Sequence, residues 1–321
     1  MGSMVGNAGG MTAGTTTGMT SGMTVGRVRW VAVVLCALAI VAAGCSDADA
    51  PDQATGTTSA AGVATTLAPS DGQGTQTGDT EASAPLTILV SNDDGIAHPG
   101  LDLMVRRLAE LDNVEVVVVA PAENRSGTSD QTTDGGAPFA DAATASGVVA
   151  IAVDGFPADS VRVALDELGI EPNVVVSGIN DAQNVGPFAG LSGTVGVART
   201  AARDGIPAVA VSAGLTYDEA QFTVGAELVV AWITENRQAL ADRTLPAEVI
   251  SFNIPTCDPA DMGEVVEVPL AEELPATGNV FASECDSSGP PPANDAEAIV
   301  AGFPTRTIIP PDLESIIRQL P

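Results

Sequence analysis

The chain contains no lysine; its 12 basic residues are all arginine. A phosphate-binding lysine of the Walker type and a Schiff-base lysine are therefore both excluded. Histidine occurs once, as His98. A histidine-rich zinc site cannot be built, and a Ser-His-Asp triad would have to use that one ring. Aromatic residues make up 3 % of the 321 residues, so any core is aliphatic. Basic charge is scarce against 41 acids, and the net charge is −29. A duplex-binding protein needs a basic surface to release counterions, so nucleic acid is a disfavoured partner. The acidity itself describes a solvated, self-repelling surface. No long apolar run is present either. The uncharged stretch at residues 30–43 is shorter than the ~20 residues a bilayer span requires.

That stretch follows Arg27 and Arg29 and ends in small residues. A basic flank, a short apolar run and small residues form an export signal. Val41, Ala42, Ala43, Gly44 and Cys45 resemble a bacterial lipobox, with Cys45 as the lipidated residue; an ordinary signal peptide cut nearby is the alternative. Met23 would open a more typical signal than Met1. Residues 46–84 are rich in Ala, Thr, Gly, Ser and Asp, a composition with little to bury that reads as a disordered tether. The expected organisation is an extension with a lipoprotein-type signal over 1–45, a linker over 46–84 and a folded domain over 85–321. The expected location is outside the cytoplasm: membrane-anchored through lipid, periplasmic or extracellular. Cys257 and Cys285 are the thiols left in such a mature domain. In an oxidising compartment they suggest a disulfide, against two unpaired buried residues.

From residue 86 onward, strand and helix patterns alternate. Residues 86–90, 114–120, 148–153, 173–176, 208–211 and 249–253 read as strands. Residues 99–111, 158–168, 193–203 and 219–239 carry helical spacing. This alternation predicts an α/β fold, a Rossmann-like, mostly parallel sheet with helices on both faces. Ligands then bind beyond the carboxyl ends of the strands. Three of those ends read SNDD (91–94), APAENRSG (120–127) and SGIN (177–180). Just beyond lies LSGTVG (191–196), a small polar turn opening a helix, whose free N–H groups suit a phosphate. One rim thus collects Asp93, Asp94, Asn92, Asn180, Ser126 and the Ser192–Gly193–Thr194 turn. Oxygen donors with few nitrogens favour Mg²⁺ or Mn²⁺ over Zn²⁺, and a cation would relieve the repulsion between adjacent aspartates. Each element alone has a duller explanation. Asp-Asp-Gly after a strand is often a turn, Ser126 a loop residue, and Ser192 a helix cap. His98 reads as a loop residue near the site, with proton donation to a leaving group as the sharper alternative.

Taken together, ILVSNDDGIAHPGL (88–101), VVAPAENRSGTS (118–129), GFPADSV (155–161), NVVVSGIN (173–180), LSGTVGVA (191–198) and GIPAVAVS (205–212) resemble the SurE family of metal-dependent 5'/3'-nucleotidases. SFNIP (251–255) and GFPTRTIIP (302–310) match more loosely. The resemblance implies a divalent-metal-dependent phosphomonoester hydrolase acting on nucleoside monophosphates. It implies Asp93, Asp94, Ser126 and Asn180 as metal ligands, with Asp93, Asp94 and Asn180 in the catalytic role. Phosphate would be held by Ser192, Gly193 and Thr194, with Asn92 in the same motif. Assembly through exchanged C-terminal segments, as a homodimer or homotetramer, is also implied. The chain departs from the family pattern at Asp181, where Gly is usual, at Leu191, where Tyr is usual, and at ARTAA (198–202), where a Glu-Gly pair is usual. The polar stretch after Ser129 is unlike the usual strand. Two other functions compete: a non-catalytic lipoprotein that captures a nucleotide or phosphate ligand in the same cleft, and a structural envelope protein with a decayed site.

Overall fold

The structure is a computed structural model that describes residues 85–313 apart from Thr216 and Pro291. The expected signal, Cys45 and the linker lie outside the described residues. Among those described, no helix is long and apolar enough to cross a membrane.

Nine strands form one sheet in the order β3-β4-β2-β1-β5-β6-β7-β9-β8. Its middle is parallel: β1 (Leu86–Ser91), β2 (Val114–Pro121), β4 (Val149–Val153), β5 (Val174–Asn180), β6 (Ala208–Ala213) and β7 (Val249–Ile254). β5, β6 and β7 are buried along their whole length, as a strand covered on both faces must be, and their sequences are near-continuous apolar runs for that reason. Side chains alternate between two cores. Ile88, Val90, Val174 and Val176 meet Leu101, Met104, Leu108, Phe222 and Val229 from α1 (Pro99–Ala109) and α4 (Glu219–Glu235). Leu89 and Val175 face the other way, toward Val161 of α2 (Pro157–Arg162) and Val195 and Ala198 of α3 (Gly193–Arg203).

The expected elements are present with shifted limits. The 219–239 helix is broken at Asn236, whose Nδ2 donates to the Trp232 carbonyl at 2.8 Å; α5 (Arg237–Ala241) follows. The 158–168 helix becomes α2 followed by a wider π turn over Val163–Glu167. Four elements were not legible in the sequence. β3 (Phe139–Ala143) lies antiparallel to β4 at one edge. It is mostly exposed, so no apolar pattern marks it. β8 (Val266–Glu267), α6 (Asp295–Ala301) and β9 (Thr305–Ile309) are short, and β9 inserts between β7 and β8, antiparallel to the first and parallel to the second.

This order creates one crevice. From β1 the chain runs to α1 on one face, while from β5, the adjacent strand, it runs to α3 on the other. The loops at the carboxyl ends of β1 and β5 therefore diverge, and a ligand can enter between them.

Candidate active site

The turn after β1 is built first by Asn92. Its Nδ2 donates to the Gly95 carbonyl at 3.0 Å and its Oδ1 accepts from the Gly95 N–H at 3.2 Å. Gly95 sits at φ +102°, a left-handed conformation in which an added Cβ would also press on Glu123 at 3.0 Å. Asn92 is fully buried. The amide closes the turn that presents the two acids.

Asp93 turns toward α3. Thr194 Oγ1 donates to its Oδ1 at 2.6 Å, and the backbone N–H groups of Gly193 and Thr194 also bond to the carboxylate. Burial pushes the Asp93 pKa up; these hydrogen bonds offset part of that. Gly193 makes the approach feasible, because a Cβ there would lie 2.7 Å from the Asp93 Cβ. The helix N-terminus expected to cradle a phosphate is therefore already bonded to a carboxylate. Gly193 and Thr194 hold Asp93, and Ser192 caps α3 by accepting from the Val195 N–H at 3.1 Å.

Asp94 faces a different neighbourhood. Its side chain is 2 % exposed, and His98 Nδ1 lies 3.8 Å from its Oδ2. Among the described residues that buried oxygen has no hydrogen-bond partner, while Oδ1 accepts from Asn124 Nδ2 at 3.3 Å. Burial, then repulsion from Asp93, pushes the Asp94 pKa up to about 7. His98 caps α1, its Nδ1 accepting from the Gly100 N–H at 3.2 Å, and its Nε2 lies 3.6 Å from Asp181 Oδ2. Burial works against a charged ring, but Asp181 and Asp94 outweigh it and raise the His98 pKa. One donor atom each from Asp94, His98 and Asp181 lies within 4.8 Å of the others.

Asp93, Ser126, Asn180, Asp181 and Ser192 line a cavity of about 240 Å³ at the carboxyl edge of the sheet. Ser126 comes from the loop after β2, and its N–H donates to Asn124 Oδ1 at 2.9 Å. Asn180 sits where the β5–β6 register shifts, with Nδ2 donating to the Ala182 carbonyl at 2.6 Å. So three of the four expected metal ligands, Asp93, Ser126 and Asn180, share one cavity. The fourth, Asp94, groups with His98 and Asp181, and Asp181 borders both. The sequence marks Asp181 as an unusual charge, and His98 as a ring near the site or a proton donor, without linking the two. Their partnership depends on β1 and β5 being neighbours. A larger cleft of about 930 Å³ lies at the amino end of the strands, around Thr87, Glu115 and Asn173. Its arginines, Arg237 and Arg243, are bonded to backbone carbonyls, and among the described residues no buried acids converge there.

The donor set fits a divalent cation. Carboxylates with amide, hydroxyl and one imidazole suit a hard or borderline ion. A buried, unpartnered Asp94 oxygen beside a second buried acid is the arrangement a positive charge would complete.

Elsewhere, Cys257 and Cys285 are joined in a disulfide, with sulfurs 2.12 Å apart.

The profile of the family described as Survival protein SurE matches residues 88–273. A protein named 5'-nucleotidase SurE from Synechococcus sp. (strain CC9605) is 38 % identical over 184 residues, spanning 56 % of this chain and 66 % of that relative, just under two thirds. A protein of the same name from Parasynechococcus marenigrum (strain WH8102) is 32 % identical over 251 residues, 71 % of this chain and 92 % of the relative. The crystal structure of the SurE protein from Aquifex aeolicus superposes with a TM-score of 0.55 at 24 % identity, covering 72 % of this chain and 96 % of that one. At that identity the likeness speaks for the α/β fold.

Proposed function

The chain belongs to the survival protein SurE family, and from that membership we propose that it is a divalent-metal-dependent phosphomonoester hydrolase, a 5'/3'-nucleotidase acting on nucleoside monophosphates. The observation that carries this reading is the pair of buried side chains Asp93 and Asp94 at the mouth of the β1–β5 crevice, with one Asp94 oxygen lacking a hydrogen-bond partner among the described residues. Asp93, Asp94, Ser126 and Asn180 would hold the cation, Mn²⁺ or Mg²⁺. When bound it supplies Lewis-acid polarisation of the phosphoryl group and a lowered pKa for the attacking water.

The chain's own residues do the rest. Thr194 and the α3 N–H groups fix Asp93 in one orientation, so the site needs little reorganisation as charge develops. Ser126, Asn180 and Ser192 line the same cavity, where the phosphoryl group would sit. His98 lies with Nε2 3.6 Å from Asp181, the acid that also borders the cavity.

Hydrolysis of AMP and p-nitrophenyl phosphate should require Mn²⁺ or Mg²⁺ and stop with EDTA. Asp93→Asn should lower kcat at least about 100-fold, the order lost with one electrostatic element of a site. Activity that persists in EDTA and in Asp93→Asn would refute the reading. The same enzyme is proposed to be exported and lipid-anchored at Cys45, on the strength of Arg27, Arg29, the apolar run and the lipobox-like ending. Labelling with radioactive palmitate that is unaffected by Cys45→Ser would rule out the anchor.

A further inference from the structure

The cavity that holds Asp93, Asn180 and Asp181 has an apolar side. Phe188, Leu191 and Phe281 also line it. The two phenyl rings meet with centroids 5.1 Å apart, tilted by 50°. In a chain with 3 % aromatic residues, a ring pair beside the reactive carboxylates is not accounted for by phosphate chemistry, which needs only polar groups.

The rings come from distant segments, and both segments are braced. Phe188 lies on the short turn Gly186–Gly190. At the start of that turn the Gly186 N–H donates to Asp295 Oδ2 at 3.1 Å, while Asp295 Oδ1 accepts from the Ala271 N–H at 2.8 Å. Phe281 lies between Asn279 and Ala282, which pair as a β-bridge. Just beyond, Ser283 and Thr256 exchange hydrogen bonds at 2.7 and 3.1 Å, and Cys285 is tied to Cys257. Both rings rest on a small apolar cluster of Val185, Ala271, Val280, Ala296 and Ile299 while staying partly exposed. They form a supported surface rather than two loose side chains.

Gln183 adds a polar element. It lines the same cavity and is 1 % exposed. Its Nε2 donates to the Ile254 carbonyl at 3.0 Å, which fixes the amide orientation. Its Oε1 has no hydrogen-bond partner among the described residues. A buried acceptor left without a donor is costly, and a ligand N–H would satisfy it.

A planar, apolar face with an N–H donor on its edge describes a nucleobase. We propose that Phe188 and Phe281 form a stacking subsite for the base of a nucleoside monophosphate, with Gln183 Oε1 accepting from the base edge. The subsite rests on the hydrolase reading only for where the phosphate sits; its affinity for the nucleoside is its own property. Stacking on an aromatic side chain contributes about 1–3 kcal/mol per base, and each 1.4 kcal/mol is a factor of ten. A sugar phosphate or glycerol phosphate would place hydroxyls against the rings and gain none of this.

Adenosine, which carries no phosphate, isolates the subsite. Titrated calorimetrically into the full chain in EDTA, it should bind, and Phe281→Ala should weaken it about tenfold. Phe281→Tyr keeps a ring and should restore binding. Should Phe281→Ala not fold, Phe188→Leu removes the other ring while keeping apolar volume and is read the same way. In turnover, the ratio of kcat/KM for AMP to that for glycerol 2-phosphate should fall about tenfold in the ring-deleted variant. Adenosine that does not bind, or that binds the ring-deleted variant equally well, overturns the subsite even if phosphomonoesters are hydrolysed. Adenosine binding that depends on the ring sustains it even if no hydrolysis is found, in which case the hydrolase reading alone falls.

Discussion

Thr194 commits its hydroxyl to Asp93 at 2.6 Å and is fully buried. A hydrogen bond to a charged group contributes about 1.5–3 kcal/mol. Thr194→Val keeps the shape but removes the donor, so Mn²⁺ affinity should drop by roughly 10–100-fold, and Thr194→Ser should recover most of it. Calorimetric Mn²⁺ titration reads both. Equal affinity in all three proteins would mean that Asp93 does not need this partner. Asp94 gives a pH effect whose sign is fixed by its environment. Its folded pKa of about 7, raised by burial and then by Asp93, lies above the ordinary 3.8. The folded state therefore holds that proton more tightly than the unfolded chain. The resulting stability is fully present below pH 3.8 and is lost as pH rises through about 7. In EDTA the melting temperature should be lower at pH 8 than at pH 5.5, and Mn²⁺ should narrow the gap, since the cation takes the proton's place. A melting temperature that is flat with pH in EDTA would contradict the raised pKa of the buried Asp94 side chain.

Among the elements, the C-terminal arm extends the parallel middle of the sheet beyond β7. β9 turns antiparallel beside β7. The chain between them carries β8, Phe281 and α6, and it is closed by the Cys257–Cys285 disulfide across a separation of 28 residues. Asp295, at the first turn of α6, holds both Ala271 and the Phe188 turn. A crosslink of this loop length contributes about 2–4 kcal/mol, mainly by limiting the unfolded chain. Cys257→Ser with Cys285→Ser should lose about that much in urea unfolding, and reductant should then have no further effect. Unfolding curves that coincide for the oxidised protein and the double variant would show the arm to be held by its packing alone.

For the whole molecule, charge and topology act against one another. The crevice between β1 and β5 gathers groups that would hold an anion, yet the chain carries a net charge of −29. Long-range repulsion slows encounter with a nucleotide and is screened as the Debye length shrinks from ~30 Å at 0.01 M salt to ~8 Å at 0.15 M. The kcat/KM for AMP should therefore rise, by roughly two- to fivefold over that range. A fall with added salt would mean that local attraction at the site governs encounter.

Much of this was legible in order along the chain. The apolar runs at 114–120 and 173–176 read as strands, and the polar residues that follow them fall on one edge once the strands are parallel. The acids Asp93 and Asp94, and the amide Asn180, were visible for that reason. Tertiary structure alone decided what each one touches. Asn92 turned inward because Gly95 lay within reach of its own amide. The α3 N-terminus took Asp93 because Gly193 let the carboxylate close in. Asp181 and His98 met because β5 pairs with β1 across 80-odd residues of sequence, and Phe188 met Phe281 because the C-terminal arm folds back over the rim. Residue type and spacing determine which groups reach an edge; which of them become neighbours depends on strand order and on close approaches that no local pattern encodes.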